Sequence, residues 1–180
     1  VEADPNHPGR YRTVLETMGT DGAILVGSPD REAARRMISS ALPHIRSVAG
    51  RMSTYRPRSE ISRLNLRGSK RAVHVSDQTM KVLRKAKRFH RLTDGAFDVT
   101  YAPLRTLWRQ AQAQEDRPTE ADIQQTLSRV GMEKLILENG TARFATEGME
   151  VDLGGIAKGF AIDRAIRALS EAGATSALVD

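Results

Sequence analysis

The 180 residues contain no cysteine. Disulfides and thiolate metal sites are therefore excluded, and any metal held here needs oxygen or nitrogen ligands. The absence suits an oxidising compartment. Aromatic residues are scarce: one Trp, three Tyr and four Phe, too few for a platform that stacks successive nucleic-acid bases. No run of eighteen apolar residues occurs, so no stretch reads as a membrane-spanning helix. The longest apolar stretches, such as Gly22 to Gly27, have strand length. There is no internal repeat and no low-complexity linker. The first residue is Val rather than Met, which is compatible with removal of an export signal.

What is present reads as one domain with a real core: 39% of residues are hydrophobic and 28% charged. Lys and Arg number 28 against 22 acidic residues, a net charge of +6. The cations are spread over helical segments (Arg31, Arg35, Arg36; Lys81, Arg84, Lys85, Lys87, Arg88, Arg91) among apolar positions. That distribution reads as a solvated basic surface and suits a small anionic ligand better than a nucleic acid. Residues 1–10 are polar, carry two prolines and read as a flexible arm.

The patterning places elements along the rest. Tyr11 to Gly19 and Thr20 to Gly27 read as two strands. Ser28-Pro29-Asp30 opens a helix whose apolar positions run from Met37 to Ala49, with Pro43 expected to kink or split it. Ser59 caps a short helix through Leu64. Ala72 to Val75 reads as a strand, and Ser76 caps a helix with a buried face of Met80, Leu83, Ala86, Phe89 and His90. That helix ends at the turn signal Thr93-Asp94-Gly95. Phe97 to Tyr101 reads as extended, and Pro103 opens a helix carrying Trp108. Thr119 and Asp122 form a capping box before the apolar face Ile123, Leu127 and Val130. Asn139-Gly140 joins Lys134–Glu138 to Thr141–Ala145 as a hairpin. Met149 to Leu153 reads as a strand, followed by a glycine turn and a helix from about Phe160 to Ala172 closed by Gly173. Thr175 to Val179 is the last strand. Antiparallel hairpins with helices between them define an α+β class. A chain that stops at Asp180 on an apolar strand is expected to be part of a longer protein.

The segment with most chemistry is Val151-Asp152-Leu153-Gly154-Gly155-Ile156-Ala157-Lys158-Gly159. Glycines admit close backbone approach, a helix start offers N–H groups to a phosphate, and Lys158 adds a full charge. Asp152 could hold a ligand N–H or face a metal. The segment is no P-loop, since Phe160 follows the Gly154 and Gly159 spacing, and the dinucleotide fingerprint is absent. Taken alone, a structural turn explains it equally well. Asp98 lies in an apolar stretch, Thr93 to Thr100, where a carboxylate is costly unless paired; pointing to solvent is the plainer explanation. Tyr55, after Met52-Ser53-Thr54 and before Ser59-Glu60-Ile61-Ser62-Arg63-Leu64-Asn65, could stack on a planar ring or simply rim a core. Met18-Gly19-Thr20 separates two strands.

Met18-Gly19-Thr20, Met52 to Tyr55 with Ser59 to Asn65, Thr93 to Thr100 with Pro103-Leu104, and Asp152 to Gly159 with Asp163 occur in an order that resembles the ApbE family of FAD:protein FMN transferases. The resemblance covers the chain from Tyr11 onward. It implies a T-fold-like antiparallel sheet with packed helices, of which residues 11–180 are the N-terminal portion. It implies Mg²⁺-dependent transfer of FMN from FAD to a Thr or Ser hydroxyl of a target flavoprotein, through a phosphoester bond, with AMP released. By the resemblance, Met18 lies at the isoalloxazine ring and Tyr55 packs against the flavin. Ala96, Phe97 and Asp98 line the FAD site, Asp152 and Lys158 contact FAD, and the Gly155 carbonyl holds Mg²⁺. The family's histidine near the flavin, and the Asp and Thr that complete its metal site, match nothing in these residues; His7, His44, His74 and His90 all precede the glycine turn. The resemblance also implies a periplasmic or otherwise extracytoplasmic place, with an inner-membrane lipid anchor through an N-terminal segment. Two other readings stand beside it. One is a non-catalytic FAD-binding relative that assists respiratory or denitrification enzymes. The other is a basic nucleic-acid-binding domain, which leaves the four ordered motifs unexplained.

Overall fold

The computed structural model describes residues 1–5 and 7–180. In chain order the elements are β1 (Glu2–Ala3), β2 (Arg10–Thr17), β3 (Thr20–Gly27), α1 (Arg31–Met52), α2 (Glu60–Arg67), β4 (Val73–His74), α3 (Asp77–Leu92), α4 (Ala102–Ala113), α5 (Glu120–Leu127), a 3₁₀ turn (Met132–Lys134), β5 (Leu135–Glu138), β6 (Thr141–Phe144), α6 (Gly154–Glu171) and β7 (Ala177–Val179). The class is α+β, as the patterning indicated. The single domain expected from length resolves into two compact units, residues 1–50 with 157–180, and residues 51–156.

The first unit carries an antiparallel sheet in the order β1-β2-β3-β7. Alternation along β2 and β3 sends Tyr11, Leu15, Ile24 and Val26 to one face, where they meet Ala34, Ile38, Ala41 and Ile45 of α1 and Ala165, Ala168 and Leu169 of α6. Ile24 and Leu169 are wholly buried; full burial of one such side chain stabilises by about 1.5–3 kcal/mol. The Asp30 carboxylate accepts from Ala33 N at 2.7 Å and starts α1. Pro43 does not split this helix, which runs unbroken from Arg31 to Met52. Pro43 and Ser39, whose carbonyl it leaves without a donor, both lie on the exposed side. Water can satisfy that carbonyl while Ala41, Ile45 and Val48 keep the opposite face buried. Residues 1–10 are not a loose arm throughout: Glu2 and Ala3 pair with Arg12 and Tyr11, and Asp4 N donates to Arg10 O at 2.8 Å.

The second unit holds a small antiparallel sheet in the order β4-β6-β5. Ser59 and Ser76 cap α2 and α3, accepting from Ser62 N and Thr79 N. The Thr119–Asp122 capping box starts α5 as its sequence specifies. Four expectations fail here for identifiable reasons. Residues 97–101 form a turn in place of a strand, because the Asp98 carboxylate takes Thr100 N at 2.7 Å and Thr100 Oγ1 at 2.6 Å. Residues 149–153 join neither sheet: Glu150 makes an isolated parallel bridge with Tyr101, and Asp152 N donates to Val99 O at 2.8 Å. The Asn65 side-chain amide clips Val151 on both sides instead, donating to its carbonyl at 3.0 Å and accepting from its N–H at 2.9 Å. An amide side chain thus does there what a neighbouring strand would do. On α3, Met80, Leu83 and Ala86 are buried, but Phe89 is 43% exposed and meets Phe97 edge-on, with centroids 6.0 Å apart. On α5 only Thr126 is buried, so Ile123 and Leu127 do not make the expected apolar face.

The largest displacement from expectation concerns α6. It begins at Gly154, well before Phe160, so the glycine segment is its first turn and not a loop. Helical glycine costs about 1 kcal/mol relative to alanine, which is why the pattern points to a loop. The Asp152 carboxylate compensates by accepting from Gly154 N at 2.7 Å.

Candidate functional site

In the first unit, the β2–β3 hairpin turns through Met18 and Gly19, with φ of 55° and 74°. Two consecutive left-handed residues are the requirement of the tight turn whose twist matches a hairpin. Glycine meets it without strain; methionine does not, at roughly 1–2 kcal/mol for the left-handed conformation. The strained methionine lines a pocket together with Thr17, Thr20, Ile45, Lys158, Ala161 and Ile162. Met18 and Lys158, far apart in sequence, therefore share one cavity with an apolar wall and one cation. Asp180 also lines it, and the cavity encloses about 60 Å³.

In the second unit, Asp152 is 7% exposed and pairs with Arg105 of α4. Burial alone would lower the guanidinium's pKa; Asp152 beside it more than offsets this and raises it above the ordinary value. The Arg105 guanidinium carbon also stands 5.9 Å from the centre of the Tyr101 ring. Tyr55, 75% exposed, is close enough to act on the same guanidinium. Arg105 Nε is buried and has no hydrogen-bond partner among the described residues. Asp152, which the resemblance makes an FAD contact, accepts from Arg105 with one oxygen and from Gly154 N with the other. It holds a cation and a helix start in place. Gly155 lies under Phe97: a Cβ there would stand 3.4 Å from Phe97 Cε2. Asp98 is paired, as a carboxylate beside a core must be, with Thr100 and with His90 Nδ1 at 3.4 Å. The same His90 nitrogen is 3.1 Å from the Phe97 carbonyl. Ala96 lies exposed in this turn.

The second unit thus brings together Tyr55, Phe97, Asp98, Asp152 and Gly155. Sequence reasoning missed Arg105, His90 and Thr100 as their partners. A signal for Arg105 existed: a carboxylate set between Val151 and Leu153 demands a cation. Spacing alone does not say which of 28 basic residues supplies it. For the metal, Gly155 offers one carbonyl, and among the described residues no group of three His, Asp or Glu side chains is placed to hold an ion. Mg²⁺ requires near-octahedral oxygen coordination with carboxylate charge. The residues present do not make a magnesium site by themselves.

The sequence profile of the ApbE family matches residues 18–180. A protein of Vibrio cholerae named FAD:protein FMN transferase is 39% identical over 121 residues, spanning 66% of this chain and 36% of that protein. A Haemophilus influenzae protein of the same name is 32% identical, over 92% of this chain and 50% of its own length. The solved flavin transferase ApbE of Vibrio cholerae superposes with a TM-score of 0.84 at 30% identity, covering 95% of this chain and 56% of that one. The chain therefore spans about half the length of the relatives it matches, or less. With a profile running from the Met18 turn to the final strand, and with the fold reproduced over nearly all of its residues, the chain belongs to the ApbE family.

Proposed function

We propose that these residues are the flavin-holding part of an FAD:protein FMN transferase. The observation that carries the reading is the strained Met18 in the lining of a small, largely apolar pocket that Lys158 also lines. Backbone strain tolerated at a cavity marks a position chosen for its ligand. In the reaction, a Thr or Ser hydroxyl of the acceptor flavoprotein attacks the FMN-side phosphorus of FAD. A P–O bond to the acceptor forms, the bond bridging the two phosphates breaks, AMP leaves with that bridging oxygen, and the hydroxyl proton passes to a base.

In this reading Met18 lies against the isoalloxazine face, and Lys158 offsets the charge of the pyrophosphate. Tyr55 and Phe97 offer aromatic surface, and Arg105, oriented by Asp152, offers its unpartnered Nε–H. Mg²⁺, when bound, would neutralise charge developing on the leaving phosphate. Gly155 can contribute one oxygen, and the other ligands and the base come from residues outside these 180. A periplasmic or other extracytoplasmic setting with a lipid anchor belongs to the proposal. Its support is the family resemblance and a composition free of cysteine.

Calorimetric titration of FAD into the intact protein tests the reading. Met18→Ala and Lys158→Ala are each expected to weaken FAD binding about tenfold, roughly 1.4 kcal/mol. Unchanged affinity in the double variant would overturn it. FAD binding with no AMP released in the presence of an acceptor would favour the non-catalytic accessory role.

A further inference from the structure

Away from the residues assigned to FAD, α3 presents Arg84, Lys87 and Arg91 along a groove closed by His90, Met132 and Glu133. Positions 84, 87 and 91 fall on one helix face, where like charges a turn apart repel. Burial lowers the Lys87 pKa, Glu133 raises it and Arg91 lowers it further; the net direction is down. One carboxylate, Glu133, itself 3.9 Å from Lys134 Nζ, faces the three cations. The groove encloses about 460 Å³, within the range of small-ligand sites. Its floor, Met132, is 2% exposed.

The walls are braced from behind. Glu133 folds over Gly131, where a Cβ would collide with the Glu133 carboxylate. Gly131 N donates to Thr100 Oγ1 at 2.8 Å, Thr100 Oγ1 donates to Asp98 Oδ1 at 2.6 Å, and Asp98 Oδ2 stands 3.4 Å from His90 Nδ1. The circuit leaves the groove at Gly131 and returns to it at His90, by way of the 96–98 turn. Two guanidinium forks and an ammonium group match the oxygens of a phosphate better than a single-point anion.

We propose that this groove binds a phosphate group, either inorganic phosphate or the terminal phosphate of a small monoester. Occupancy bears on the Asp98 turn through Thr100 and Gly131. The inference is independent of the flavin assignment, because binding is measured without FAD.

Calorimetry and ¹⁵N-resolved NMR of the intact protein at constant ionic strength test it, with inorganic phosphate and glycerol 3-phosphate as probes and chloride as the control. Phosphate or the monoester is expected to bind and to shift the Thr100 and Gly131 amides. Lys87→Gln and Arg91→Gln should each weaken binding about tenfold. Glu133→Gln, which removes the competing carboxylate, should tighten it about threefold, a gain that misfolding does not produce. The tighter of the two probes identifies the source. No binding of either probe, an equal response to chloride, or affinities indifferent to all three substitutions would overturn the proposal.

Discussion

Two hairpins in this chain make the same demand on their turns and answer it differently. Asn139 and Gly140 join β5 to β6 with φ of 44° and 75°; Met18 and Gly19 join β2 to β3 with φ of 55° and 74°. Asn-Gly is what a tight hairpin selects when only the fold matters. Met-Gly satisfies the second position and strains the first. The first turn has a structural tie, Gly140 O accepting from Val75 N at 3.0 Å, whereas the second lines a pocket with Lys158. The buried carboxylates of the second unit repeat the contrast. Glu60 is enclosed by Arg51 Nη1 at 2.6 Å and by Ser76 N and Oγ, both at 2.9 Å. Asp152 meets Arg105, whose buried Nε finds no partner among the described residues. A site built for stability closes its hydrogen bonds, and one built for a ligand leaves a donor open.

The largest effects test the carboxylates. Glu60→Ala leaves Ser76 N–H without its acceptor and Asp152→Ala leaves the partly buried Arg105 without its carboxylate, and each should cost about 1–3 kcal/mol in chemical denaturation. The contrast predicts different rescues. Asp152→Ala combined with Arg105→Met should recover much of the loss while leaving FAD binding weak, because the open donor has gone with the charge. Glu60→Ala combined with Arg51→Met should recover less, since Ser76 N–H stays without its acceptor. Equal rescue at both places would remove the distinction between them.

The turns give a smaller and sharper test. Met18→Asn should stabilise the protein by about 0.5–1 kcal/mol, because asparagine tolerates the left-handed region. It should also weaken FAD binding. The mirror change, Asn139→Met, should destabilise by a similar amount and leave FAD binding alone. Thermal melts with and without FAD read both. If Met18→Asn left both stability and affinity unchanged, the strain at that turn would carry no functional meaning.

Local chemistry explains which parts of the molecule were legible beforehand. Caps and turns were read correctly at Ser59, Ser76, Thr119 with Asp122, Asn139-Gly140 and Gly173, because each satisfies its own backbone within a few residues. Long amphipathic runs were legible for the same reason, and α1 even survives Pro43. The failures lie where a distant side chain replaces the backbone partner that a pattern assumes. Val151 is apolar and alternates like a strand residue, yet its partner is the Asn65 amide. Phe97 to Tyr101 reads as extended until Asp98 folds back on Thr100. Gly154 and Gly155 read as a loop because the carboxylate that starts their helix carries no capping signature without knowledge of its rotamer. The site shows the same division. Met18, Tyr55 and Lys158 stand out at a strand junction, after Met52-Ser53-Thr54 and in the glycine segment, while Phe97 enters through the resemblance alone. Arg105 and His90 acquire roles only through the tertiary fold, and one helix face in a basic sequence gives no sign of which arginine turns inward.

The smallest effect is in the acid limb of stability. Burial raises the Glu60 pKa, but hydrogen bonds from Thr79, Ser76 and Arg51 outweigh it and hold the folded value below the ordinary 4.5. A carboxyl that is more acidic when folded binds protons more readily in the unfolded chain. Its contribution is therefore complete at neutral pH, begins to fade as pH falls through the unfolded value, and is lost once pH passes below the folded one. Glu60→Gln should lower stability at pH 7 and flatten the decline between about pH 5 and pH 3. Asp152→Asn gives the contrasting case, since its loss at pH 7 comes from the uncompensated Arg105. Denaturation midpoints followed from pH 7 to pH 3 should converge on the parent for Glu60→Gln. A curve that runs parallel to the parent's would mean that the ring of donors around Glu60 does not hold its proton affinity down, and the closed hydrogen bonds that set it apart from Asp152 would be geometric only.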